Sequence, residues 1–141
     1  MVRSRSLAMV GMMLVGVLGL GACATAPEDK APDPDTLVRS VTDFHQHLRW
    51  RRYTEASAYL READQGRFLG QVEEDDENFR VVEYEIRSLK LGKDGKSATS
   101  KVEIQWLREP DMTVRKDKVE EQWEALDGRW VLVEREVKHV K

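Results

Sequence analysis

A single cysteine, Cys23, occurs in the 141 residues. No internal disulfide can therefore form within one chain, and the fold must be held by packing and hydrogen bonds. Proline is scarce beyond residue 34. Pro27, Pro32 and Pro34 crowd one segment, and Pro110 stands alone afterwards. Charge of one sign is not in excess. Lys and Arg number 23 against 26 Asp and Glu, a net charge of −3 with both signs interspersed. That balance excludes the basic footprint of a nucleic-acid binder and gives no pull toward anionic headgroups. Long apolar runs are absent outside Leu7 to Leu20. Also absent are a glycine-rich phosphate loop, a nucleophile elbow and a Cys/His metal pattern.

What is present begins at the N-terminus. Arg3 and Arg5 form a positive start, Leu7 to Leu20 carries no charge, and the small residues Gly21 and Ala22 precede Cys23. These are the three parts of a secretory signal. Small residues suit a peptidase cleft that must admit extended backbone just before the cut. Leu20-Gly21-Ala22-Cys23 resembles the lipobox of bacterial lipoprotein precursors, with Gly21 a less usual second residue. The resemblance implies cleavage between Ala22 and Cys23, a diacylglyceryl group on the Cys23 thiol, and acylation of the new amine. At about 0.8 kcal/mol per buried CH₂, two or three chains hold a protein to a bilayer permanently. Ala24, rather than Asp, follows the cysteine. By resemblance to enterobacterial lipoproteins, that implies the outer membrane, facing the periplasm.

Three other readings compete. Leu7 to Ala26 is uncharged and near the roughly 20 residues of a membrane span. However, Gly11, Gly16, Gly19 and Gly21 interrupt it, and Cys-Ala-Thr-Ala-Pro is a poor helix end. An ordinary secretory signal would leave a free thiol, and a structural cysteine would be buried.

Ala24 to Asp35 has three prolines, several charges and no large apolar residue. Such a segment buries too little to offset its ordering entropy and reads as an extended tether. The expected organisation is a signal peptide over 1–22, a lipidated cysteine with its tether over 23–35, and one domain over 36–141.

Helical periodicity opens the domain. Leu37, Val41, Phe44 and Leu48 share one face, widened by Val38, with Asp35 or Thr36 as cap. His45 and His47 flank that stripe on opposite sides and read as boundary residues, not metal ligands. Trp50 points away from the stripe, so the helix ends near Arg49 to Arg52. Trp50-Arg51-Arg52-Tyr53 reads as a helix–helix corner, with a docking patch as the alternative. A second helix is expected from Thr54 or Glu55 to Ala63, capped by Thr54, with Gly66 then interrupting. A third spans Arg67 to Glu77, with Phe68, Leu69 and Val72 inward. The five acids Glu73 to Glu77 lack the spacing of a calcium loop and oppose the helix dipole.

From Phe79 the period becomes two. Val82, Tyr84 and Ile86 share one face, and after Ser88 the phase flips to Leu89 and Leu91, which implies a β-bulge. Lys93-Asp94-Gly95-Lys96 is a hairpin turn. Ala98, Ser100, Val102, Ile104 and Trp106 line one face of the second strand. Pro110 and Asp111 turn the chain. The third strand carries Val119, Trp123 and Ala125 inward, with Lys118, Glu120, Gln122 and Glu124 outward. Leu126 to Arg129 turns again, and Trp130 to Val133 is apolar on both faces. Helices followed by four antiparallel strands specify an α+β fold, with two to three N-terminal helices packed on a curved sheet.

Three phrases carry a second resemblance: the helix pair joined at Arg52-Tyr53, Val82-Glu83-Tyr84-Glu85-Ile86, and Asp127-Gly128-Arg129-Trp130-Val131-Leu132. With them the chain resembles the nuclear transport factor 2-like superfamily. The resemblance implies a conical pocket between helices and sheet, frequent dimers through the sheet, and ketosteroid isomerases and dehydratases among the members. Tyr59, Tyr84, Trp106 and Trp123 become the pocket candidates. Isomerase members use a pocket Asp base with Tyr and a second acid as oxyanion donors. Here the inward positions offer Tyr84, Tyr59 and, at the third strand, Glu121. No Asp reads as inward on a strand, Asp43 lies outside the helical stripe, and no acid pairs with His45 by spacing. The expectation is a non-catalytic binding or scaffolding domain without cofactor or metal. Its partner would be an envelope protein, a small apolar ligand or a second copy through the sheet. The alternative is a small pocket enzyme of isomerase or hydrolase type.

Overall fold

The structure, a computed structural model, describes residues 31–75 and 77–140. The signal peptide, Ala22, Cys23 and most of the tether lie outside them. Helix α1 runs Pro34–Arg49, α2 Tyr53–Ser57 and α3 Glu62–Asp75. Strands β1 Phe79–Leu91, β2 Ser97–Arg108, β3 Arg115–Leu126 and β4 Arg129–His139 follow as an antiparallel meander in that order. Among the described residues no helix is long and apolar enough to cross a membrane.

The helices differ in detail from the expectation. The cap of α1 is Asp33, whose carboxylate accepts from the Asp35 amide at 2.9 Å, and Pro34 occupies the first turn. The helix therefore starts inside the stretch assigned to the tether, because proline already has helical φ and needs no amide partner there. Leu37, Val41, Phe44, His45 and Leu48 are buried, whereas Val38 is exposed and does not widen the stripe. Helix α2 ends at Ser57, and Arg52, not Thr54, is its first flanking residue. Gly66 does not interrupt. It sits inside α3, which begins at Glu62 and stops at Asp75.

Three two-for-one irregularities curve the sheet. Val81 faces Trp106 and Glu83 faces Gln105, so Val82 is the extra residue; Arg87 is extra between Ile86 and Ser88. On β4, Val133 is extra opposite the Gln122–Trp123 step. The first bulge corrects the expected face. Val81, not Val82, packs with Tyr84 and Ile86 against the core, and Val82 is exposed. The bend anticipated near Ser88 is present at Arg87.

The core lies between α1 and the concave face of the sheet. Phe44 meets Trp123 edge-to-face at 6.0 Å, and Tyr59 and Phe68 at 6.4 and 6.3 Å. Phe44 and Trp123 are fully buried, and each such apolar side chain contributes about 1.5–3 kcal/mol. Beyond α2, Leu60 makes a parallel bridge to Leu132, and the Leu132 amide donates to the Tyr59 carbonyl at 2.7 Å. This bond covers part of the β4 edge. The outer face carries ion pairs across strands, including Arg87–Glu103 at 3.2 Å and Lys116–Glu103 at 3.4 Å.

Candidate functional site

Helix α3 has no fully buried residue. It lies over one end of the sheet and leaves a cavity of about 320 Å³ beneath it. Leu48 and Tyr53 close one side, Phe68, Val72 and Asp75 come from α3, and Phe79 and Val81 come from β1. The floor is Ile104, Trp106 and Arg108 of β2, Asp117 and Val119 of β3, and Arg135, Val137 and His139 of β4. Of the apolar residues of α3 only Phe68 and Val72 reach this cavity, and Leu69 does not line it.

Two buried carboxylates project from β3 toward the helices. Asp117 accepts from Trp106 Nε1 at 2.7 Å through Oδ2, and its Oδ1 lies 2.9 Å from His139 Nδ1. Both carboxylate oxygens are thereby engaged at the cavity wall. Asp117 is 6% exposed, which corrects the expectation that no Asp faces inward on a strand. Its parity with Val119 and Glu121 on β3 is the signal in the sequence that points to it.

Glu121, four residues after Asp117, is fully buried. Its Oε2 accepts from Ser100 Oγ at 2.7 Å, and Oε1 from Arg135 Nε at 3.3 Å. Oε1 also lies 2.9 Å from His45 Nε2, without the alignment of a hydrogen bond. Burial pushes the Glu121 carboxyl up. The neighbouring His45 first, then the Arg135 charge and the hydrogen bond from Ser100, pull it down and prevail, leaving it below the usual carboxylate value. So His45 does have an acid partner, supplied by a strand 76 positions away in sequence terms; helical spacing could not show it.

The four pocket candidates do not converge. Trp106 lines the cavity. Trp123 is in the solid core, donating from Nε1 to Ser100 Oγ at 3.0 Å. The Tyr59 hydroxyl donates to Asp43 Oδ2 at 3.3 Å. Tyr84 lies on another side of α1, with its hydroxyl 3.2 Å from both the Thr42 carbonyl and Gln46 Oε1, and its ring stacked on His45 at 5.3 Å. Burial raises both phenols above their ordinary value. The Asp43 charge and hydrogen bond add to this for Tyr59; for Tyr84, Arg49 lowers and Asp43 raises. Among the described residues no group of His, Cys, Asp and Glu is arranged to hold a metal.

Chemically the site offers an apolar chamber, one carboxylate tied to an imidazole, and the guanidiniums of Arg108 and Arg135. No family model and no curated protein sequence matches the chain. Solved structures do. A protein of unknown function from Nostoc punctiforme, described as having a cystatin-like fold, superposes with a TM-score of 0.54 at 13% identity, over 77% of this chain and 91% of that one. The fold is cystatin-like. A suggested isomerase from Rhodopseudomonas palustris gives 0.52 at 17% identity, over 70% and 87%. A suggested Ca/calmodulin-dependent kinase II association domain from Exiguobacterium sibiricum gives 0.60 at 12% identity, over 79% and 98%. At these identities the likeness is one of architecture, and the helices over a curved antiparallel sheet are what the cystatin-like fold shares. Function has to be argued from the site.

Proposed function

We propose that the protein is a lipid-anchored envelope lipoprotein whose cystatin-like domain binds a small, largely apolar ligand beneath α3 without transforming it. The supporting observation is the cavity, about 320 Å³, walled by Leu, Val, Ile, Phe and Trp side chains with a few polar groups at its floor. That is the make-up of a small-molecule site, near the lower end of the usual size range. Both oxygens of Asp117 and both of Glu121 already have protein partners, which favours holding a ligand over reacting with it. The anchor rests on the lipobox at Leu20 to Cys23.

Uptake of an apolar fluorescent probe, N-phenyl-1-naphthylamine, tests the binding site. The chain should take it up, and Val81→Phe, which fills the chamber from β1, should abolish uptake while the fold persists. Equal uptake by the variant would reject the site.

One observation favours a second reading, a pocket enzyme of isomerase type. With Nδ1–H of His139 donating to Asp117, Nε2 remains an acceptor at the cavity. The resemblance to a suggested isomerase adds only shared architecture. Proton exchange next to a ketone carbonyl, followed by NMR in D₂O, discriminates. Exchange no faster than in buffer, across a panel of cyclic and open-chain ketones, removes this reading.

A further inference from the structure

We infer that the cavity takes an amphipathic anion, an apolar tail ending in a carboxylate, and that Arg135 receives the head. This rests on the cavity being a ligand site and adds the chemistry of what enters it. Arg135 rises from β4 with its side chain 32% exposed. It lines the chamber beneath α3 and also the hollow on the other side of that helix. Its Nε is engaged by Glu121 Oε1 at 3.3 Å, whereas neither Nη group has a partner among the described residues. A guanidinium presents its donors in a rigid fork that matches a carboxylate, so both Nη groups are available to hold one.

The acceptors at the site are in the opposite condition. Asp117 is saturated by Trp106 and His139, and Glu121 by Ser100, His45 and Arg135. A ligand cation would find no unoccupied buried carboxylate. Asp75, at the end of α3, is the acid at the cavity without a described partner, and it is exposed to water at the rim. Arg108, also without a described partner, lines the same cavity from the end of β2. What stays unengaged near the apolar wall is therefore donor rather than acceptor: the two Nη groups of Arg135, whose Nε alone is held by Glu121, with Arg108 and Asp75 offsetting each other at the exposed rim. Val81, Ile104, Val119 and Val137 beside Arg135 supply the surface for a tail.

Isothermal titration of the full-length chain, carrying Cys23→Ser to exclude an attached acyl group, tests this. The probes share one tail and differ in head: decanoate, decanol and decyltrimethylammonium, each below its micelle concentration. Decanoate should bind about tenfold more tightly than decanol, the difference between a charge-assisted and a neutral hydrogen bond, and the cation weakest. Arg135→Gln should erase the preference for decanoate and leave decanol binding in place. Arg135→Lys keeps a charge beside Glu121 and loses the fork. It should retain part of the preference, and it serves if the glutamine variant does not fold. Decanol matching decanoate, or the cation binding most tightly, rejects the anion assignment while the cavity stands. Binding of none of the three rejects the cavity as a site, and the anion assignment with it.

Discussion

His45 Nε2 and Glu121 Oε1 lie 2.9 Å apart with both side chains almost fully buried. The pair joins the middle of α1 to the middle of β3. Around it, Ser100 and Arg135 occupy the rest of the carboxylate, and Tyr84 stacks on the imidazole. The cavity floor shares Arg135 with this network, so the position of that guanidinium depends on Glu121.

Removing one member of the pair should be severe. Glu121→Ala leaves His45 and Arg135 facing an apolar void, and a buried pair broken from one side loses about 3–5 kcal/mol. Replacing both, with His45→Phe and Glu121→Leu, should lose less than Glu121→Ala, because the fully buried imidazole is no longer orphaned and only Arg135, whose side chain is 32% exposed and can turn to water, loses its partner. Urea denaturation of the single and double variants checks this. A double variant weaker than Glu121→Ala would show that the pair itself stabilises the fold.

Acid should unfold the protein partly through the same residue. The Glu121 carboxyl is depressed in the folded state relative to the chain in water, so it binds its proton less readily when folded. Its contribution is present above the unfolded value, about 4.3, and is lost as pH falls toward the folded one. The groups facing it are His45 from α1, Ser100 from β2 and Arg135 from β4. Thermal melts from pH 7 to pH 3 should show a decline below about pH 5 that is shallower in Glu121→Gln. Equal slopes would place the acid sensitivity elsewhere.

Two glycines should respond with opposite sign to the same change. Gly66 lies within α3, and a Cβ there meets nothing within 4 Å. Gly66→Ala should stabilise by about 0.5–1 kcal/mol through helix propensity and a less flexible unfolded chain. Gly95 is equally open but has φ of +68° in the β1–β2 turn. There Asp94 Oδ1 accepts from the Lys96 and Ser97 amides at 2.9 and 3.0 Å and holds the turn. Gly95→Ala should destabilise by about 1–2 kcal/mol, since a side chain resists the left-handed region. Chemical denaturation reads both, and a stabilised Gly95→Ala would contradict the turn geometry.

Processing at residue 23 should be visible by mass. Produced in a bacterium with its own first 22 residues, the mature chain should begin at Cys23 and carry the mass of a diacylglyceryl group with an acylated amine. Cys23→Ser should remove that mass and release the domain from membranes. An unmodified terminus on the wild-type product ends the lipoprotein reading.

Local pattern and tertiary placement divide cleanly in this chain. Periodicity alone determined the order of elements, the buried stripe Leu37–Val41–Phe44–Leu48, the inward face of β2 and the hairpin at Gly95, because each follows from contacts a few residues apart. Local pattern failed at Val82, where a bulge shifts the face, and at Gly66, where one glycine costs less than the helix gains around it. Only the folded chain brought His45 to Glu121, and Arg135 with Asp117 and His139 to one chamber. Those meetings join α1 to β3 and β3 to β4 through bulged registers that the alternation of side chains does not encode. How far α3 stands from the sheet is likewise a matter of packing between elements, and it is what leaves room for a ligand.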